Sequence, residues 1–261
     1  MSLLACGGLL PAGELALIWE HPVSMDTYGE RGLGALVVAD DASWSTPDED
    51  PSPQAIWWGP QGQRMVGAED GLYQDGQRIR SVDGALMWAG QGERVICVRE
   101  PWFYDELGNT WPYEGEVVDV AVDEQRWLAL ICDDRCEVLD PEGVLGEAGP
   151  RGRVSLHEGR ACWSDPQEGP GGVLRCEDGL ELEGLPGDAL GTALDGGWAA
   201  GRLNEYQVPN RLRLVPLDGG TVLSLDRYTP AMPPALAVEG QQLVLGLPWD
   251  EQGRVLVSSL P

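Results

Sequence analysis

The chain has 261 residues, among them 36 Gly, 20 Pro and 11 Trp, and its 43 acidic against 17 basic residues give a formal charge of -26. Every basic residue is an arginine; without lysine the chain can form neither a lysine Schiff base nor a Walker P-loop, and its charge disfavours nucleic acid or an anionic membrane face as a direct partner, because phosphate binding needs a basic surface. Frequent turns with plentiful aromatics suit many short strands in one all-β domain, no stretch reads as an amphipathic helix capped at both ends, and no run is long enough to span a bilayer as a helix.

Taken in chain order, the first segment of interest is Leu3, Leu4, Ala5, Cys6, Gly7. It resembles the lipobox of bacterial lipoproteins, which implies lipidation at Cys6, although the preceding apolar region of a signal peptide is almost lacking. Residues 1–11 are therefore read as a tail and residues 12–261 as a single domain. Glu14 to Glu20 (ELALIWE) predicts a strand. Leu33 to Asp40 and Ala55 to Pro60 read as one hairpin around an acidic loop, with Trp57 and Trp58 on opposite faces of the second arm. Met65 onward (MVGAEDGLYQDGQRIRSVDG) predicts three short strands in quick succession, and Met87 to Arg99 another core pair. Cys97, in the run Val95 to Val98, reads as a small buried hydrophobe.

Pro101 to Tyr113 (PWFYDELGNTWPY) follows as the most distinctive unrepeated segment, and is expected to be a lengthened loop. Clustered rings with a few polar groups suit contact with a sugar or peptide. The ligand-binding candidates are Trp102, Tyr104, Asp105, Trp111 and Tyr113. The competing reading is that these rings cap the core between two blades.

The rest of the chain repeats. Segments beginning at Val117, Arg153, Gly191 and Ala235 share one phase: a short strand ending in an acidic or Gly turn, a second with alternating Trp or aliphatic residues, and a third ending in a polar turn. The Gly191 copy adds a fourth strand at Thr221 to Leu225, whereas the last copy lacks one. Four strands of this length cannot stand alone in water, and radial stacking of such sheets buries both faces. The fold class is accordingly an all-β β-propeller of four-stranded blades, about six, or seven if the middle region divides. The strand at Glu14 to Glu20 is expected to complete the last blade and so remove exposed sheet edges. A β-sandwich or a pair of small β domains also supplies short strands, but not this regular phase.

The pattern Ala-Val, Gly turn, Leu-Val-x-Gly-x-Pro, acidic loop, Gly-x-Val-x-Val at Ala237 to Val257 resembles the FG-GAP repeats of integrin-α-like propellers, common in exported bacterial proteins. Gly191 to Val215 and Gly34 to Trp58 match more loosely. The resemblance implies a binding propeller. Family members often carry a calcium loop of the form Asp-x-Asp-x-Asp-Gly, and this chain has none. The acidic stretches Asp40 to Asp50 and Trp249 to Gly253 could offer oxygen ligands without that spacing, so no cofactor and no metal-ligating residue is assigned.

Cys132 and Cys136 flank a short turn, and Cys162 and Cys176 lie symmetrically about Gly169 in a hairpin. Each pair could face across two antiparallel strands as a disulfide, which would fit an exported protein; zinc competes weakly, with His21 and His157 the chain's two histidines and no paired C-x-x-C. Neither histidine stands at a motif spacing from a nucleophile, and no G-x-S-x-G elbow is present. No catalytic residue is assigned. The expected function is non-catalytic: an exported or cell-surface propeller that binds a protein, peptide or glycan partner or serves as a scaffold, touching a membrane only through an N-terminal lipid anchor. The alternative is a propeller-type glycosidase or lyase with paired carboxylates at the central channel.

Overall fold

A computed structural model describes the chain continuously over residues 53–150 and, with short breaks, to residue 185; beyond that span it describes the backbone of individual strands, and side chains are described within residues 53–182. In chain order, β1 (Gly8–Leu9) and β2 (Ala16–Pro22) precede a short hairpin, β3 (Leu36–Val38) and β4 (Ser43–Ser45). The next sheet is β5 (Pro53–Trp58), β6 (Arg64–Ala68), β7 (Gly71–Gln74) and β8 (Gln77–Ser81). It is followed by β9 (Met87–Gln91), β10 (Arg94–Arg99), β11 (Trp102–Asp105) and β12 (Thr110–Pro112). Then come β13 (Glu116–Val122), β14 (Trp127–Cys132), β15 (Cys136–Asp140) and β16 (Gly143–Ala148), and after them β17 (Val154–His157), β18 (Arg160–Asp165), β19 (Gly172–Cys176) and β20 (Glu181–Leu185). The last strands are β21 (Thr192–Asp195), β22 (Trp198–Glu205), β23 (Val208–Pro216), β24 (Leu223–Leu225), β25 (Ala235–Glu239), β26 (Gln242–Trp249) and β27 (Gln252–Ser259).

Among the described residues these strands form seven sheets, in each of which consecutive strands pair antiparallel. The first strand of every sheet lies against the first strand of the next, from β3 to β5, β9, β13, β17, β21 and β25, and β25 returns to β3. That cycle is a closed ring of seven blades, the larger of the two expected numbers. It closes as the sequence predicts: β2 pairs with β27, with Ala16 opposite Val257 and Pro22 opposite Gln252, and supplies the fourth strand that the last copy lacks. In the preceding blade β1, from the expected tail, adds a short parallel pairing to β24. Cys6 lies outside the described residues.

Two expectations are corrected. Leu33 to Asp40 and Ala55 to Pro60 do not form one hairpin, because β3 pairs with β4 and β5 pairs with β6, in neighbouring blades. Pro101 to Tyr113 is not a lengthened loop: it holds β11 and β12, the third and fourth strands of a regular blade. Pro101 immediately precedes β11 and Pro112 ends the edge strand β12, where a missing N–H interrupts no inner ladder.

Local chemistry sets the turns. At the β7–β8 hairpin Asp75 has φ 47° and Gly76 φ 80°, the two positive values a type I′ turn needs and an Asp-Gly pair tolerates. Both faces of the second strand are buried in each of the four blades whose side chains are described. In β10, Val95 and Cys97 join Trp57, Met65, Leu72 and Trp88 on one side, while Ile96 and Val98 join Phe103, Val120, Trp127 and Ile131 on the other. Leu128 and Leu130 of β14 face a third cluster with Val138, Ala161 and Trp163. Burial pushes the Cys97 thiol up to about 12, which keeps it protonated and unreactive at neutral pH.

Polar bonds join adjacent blades at their edges. Asp123 accepts from the Gly159 amide at 2.7 Å, and Arg126 donates to Asp140 in its own blade at 3.0 Å and to the Gly159 carbonyl in the next at 2.9 Å. Both expected disulfides are present, Cys132–Cys136 between β14 and β15 and Cys162–Cys176 between β18 and β19. Chain-entropy stabilisation grows with the loop enclosed. Replacing Cys162 and Cys176 together with alanine is expected to lower the unfolding free energy by about 3 kcal/mol, and the shorter Cys132–Cys136 bridge by about 2 kcal/mol. Equilibrium denaturation of the two oxidised variants measures the order, and a larger loss at Cys132–Cys136 would contradict it.

Candidate functional site

The pairing of β11 with β12 sorts the five sequence-predicted contact residues. Phe103 stands opposite Trp111, and Trp102 opposite Pro112. Alternation therefore puts Phe103, Asp105, Trp111 and Tyr113 toward the blade of β13–β16, and Trp102 and Tyr104 the other way. Tyr104 packs beside the cluster around Trp57 and Trp88, and Trp102 is left 37% exposed. Asp105 is buried and accepts from the Leu107 and Asn109 amides and the Asn109 side chain, which closes the turn between the two strands. It shapes that turn and has no oxygen left idle.

Trp111 and Tyr113 do come together. With Phe103 and Trp127 they form an aromatic group at the seam between two blades: Phe103 lies 4.7 Å from Tyr113 and 5.0 Å from Trp127, and Trp111 meets Trp127 edge-on at 5.4 Å. These offset and edge-on arrangements suit the ring quadrupoles and add to the burial. The inner rings cap the core between two blades, and Trp111 and Tyr113 lie half-buried above them.

Over these rings lies a cavity of about 610 Å³. The second blade supplies its other wall through the turn that follows Cys132, with Asp133, Asp134 and Arg135, and through the turn from Asp140 to Gly143. The disulfide fixes the first turn at its base. In the second, Asp140 accepts from the Glu142 and Gly143 amides and from Arg126. Arg135 is held by Glu137 at 2.6 Å and Glu147 at 3.2 Å. Glu114, Asp133, Asp134 and Glu142 also line the cavity, are exposed, and form no ion pair among the described residues. The site is thus an aromatic floor under a rim with unneutralised negative charge.

Sequence reasoning singled out Trp111 and Tyr113 on one wall of this cavity and missed Trp127, Asp133, Asp134 and Glu142. The segment Cys132 to Cys136 reads as a disulfide hairpin, and nothing in one sequence says that its tip faces Trp111 of another blade.

The paired carboxylates of the enzymatic alternative have no counterpart in the four blades whose side chains are described. The first strands of those blades carry one mid-strand carboxylate, Asp119. Burial raises its pKa, and Arg153 at 3.3 Å with the Val154 amide at 3.0 Å act in the opposite direction. Its neighbours across the blade interface are a cation and a donor. Among the described residues no group of three or more His, Cys, Asp and Glu side chains could hold a metal ion. The acidic stretches 40–50 and 249–253 lie largely outside the described residues.

No family model matches the chain, and no curated protein does. Solved structures are similar to it. One is BBS1N in complex with ARL6DN, with a TM-score of 0.56 and 11% identity over 95% of this chain and 97% of that one. Another, the mitotic checkpoint complex, contains a chain with a TM-score of 0.55 and 12% identity over 85% of this chain and 80% of that one. The computationally designed Ika8 protein has a TM-score of 0.53 and 13% identity over 80% of this chain and 71% of that one. At these identities the likeness is one of fold alone, and with the ring of sheets it makes this chain a β-propeller.

Proposed function

We propose that the chain is a non-catalytic, exported binding propeller whose partner engages the cavity between the blades of β9–β12 and β13–β16. The observation that carries this reading is the half-open aromatic floor made by Trp111 and Tyr113 over buried Phe103 and Trp127. Rigid rings beside a few polar groups give contact area at small entropic cost. The two disulfides support an oxidising compartment outside the cytoplasm, and lipidation of Cys6 would hold the domain of residues 12–261 at a membrane surface without a spanning segment. Kinship with integrin-α-like propellers belongs to the same proposal and rests on Ala237 to Val257. A protein partner is in keeping with the fold: BBS1N and the checkpoint protein, both similar in fold, were solved in complexes.

The opposed faces of β11 and β12 provide the test. Purified wild-type protein, Trp111→Ala and Trp102→Ala are each used to recover partners from envelope extracts. Trp111→Ala is expected to lose recovery by at least tenfold, because hot-spot aromatics commonly contribute about 2 kcal/mol or more, while Trp102→Ala retains it. Equal recovery by wild type and Trp111→Ala would overturn the assignment of the site.

A further inference from the structure

Resting on that reading of the site, we infer that the cavity takes an arginine side chain of a basic peptide segment in a partner protein. Three observations converge on this ligand. Glu114, Asp133, Asp134 and Glu142 place free carboxylates around the opening, and its one cation, Arg135, is already held by Glu137 and Glu147. An anionic ligand is repelled, and a cation meets charges that have no internal counterion. The field of the whole chain, at -26, adds attraction at long range.

The floor selects among cations. Trp111 and Tyr113 are half-buried rings over buried ones, a setting in which a stacked guanidinium gains more than it would in open water. Arginine is planar and weakly hydrated, whereas the lysine ammonium is a strongly hydrated point charge. Trp127, 5% exposed, closes the floor of the same cavity beneath Trp111. The volume of about 610 Å³ falls within the ~300–1,000 Å³ of sites for ligands of this size.

The experiment titrates the purified full chain with three synthetic probes: an acetylated Gly-Arg-Gly-Arg-Gly amide, the same peptide with citrulline in place of arginine, and chitohexaose. Tryptophan fluorescence and calorimetry report binding. The arginine peptide is expected to bind at least tenfold more tightly than the citrulline peptide, which keeps the shape and loses the charge. Asp133→Asn with Asp134→Asn, both exposed and outside the core, is expected to weaken it about tenfold. Asp83→Asn with Glu93→Gln, an equal change in net charge at carboxylates that do not line the cavity, leaves it unchanged.

Equal weakening by both pairs means attraction to the net charge alone and overturns the proposal. So does equal binding of the citrulline peptide, or binding of chitohexaose in preference to both. The two readings fail separately. If Trp111→Ala abolishes recovery of the partner while the arginine peptide fails to bind, the site stands and the ligand class falls. Retained recovery by Trp111→Ala removes the site itself.

Discussion

Trp88→Ala is expected to cost about 4 kcal/mol, the range for removing a large buried aromatic, and to be the most damaging single truncation among the rings described above. Trp88 is 3% exposed and sits on β9, the first strand of its blade, with its Nε1 donating to the Ala68 carbonyl of the preceding blade at 2.8 Å. The indole thus fills the interface and satisfies a buried acceptor across it. Truncation opens a cavity and removes that buried hydrogen bond, two separate penalties at one position. Glycines on the facing strands explain how the ring fits. A Cβ on Gly67 would run into Trp88, and a Cβ on Gly90 into Trp57, so each tryptophan lies on bare backbone of the adjacent blade. The same device recurs at Gly146 beneath Trp163. Gly67→Ala is therefore expected to destabilise as well, by about 1–3 kcal/mol as overpacking does. Denaturant unfolding of both variants checks this, and a loss below 1 kcal/mol for Trp88→Ala would show that the blades are not held at this point.

These pairs also show what a single sequence makes legible. Trp or aliphatic residues recur at alternating positions of short runs, so the strands and their phase can be read from residues 117–259 without knowing which Trp meets which Gly. Period-two patterning reports local burial, and partnership between blades is a matter of three-dimensional register. The two corrections have the same origin. β4, Ser43–Ser45, has one apolar residue and is too short to show a period, so the stronger runs on either side of it look like each other's partners. In Pro101 to Tyr113, two prolines, a glycine and Asn109 resemble loop chemistry, but four of those thirteen residues form β11 and three form β12. Strands this short carry too few residues for a periodic signal to outweigh their breakers. The candidate site was legible only as its aromatic half, because its acidic half arrives from the next blade through a turn whose sequence reports a disulfide and nothing more.

The ring's closure gives the last expected result. Removing residues 1–22 deletes β2 and exposes the outer edge of β27, an eight-residue strand whose middle reads Val255, Leu256, Val257. β2 pairs with six residues of β27, and at about 1 kcal/mol net for each backbone hydrogen bond forfeited the loss is roughly 5 kcal/mol, a large part of the ~5–15 kcal/mol that holds a typical domain folded. An exposed apolar edge of that length is also a template for pairing between molecules. The shortened protein is expected to unfold at markedly lower denaturant concentration and to self-associate in sedimentation experiments. Removal of residues 1–11 deletes only the two-residue pairing of β1 with β24 and is expected to cost under about 1 kcal/mol. A synthetic peptide spanning residues 14–22, added to the shorter form, should restore the monomer by taking the vacant edge. If both truncations leave the same stability and the same mass in solution, the strand near the N-terminus does not close the ring, and the propeller is held by its blade interfaces alone.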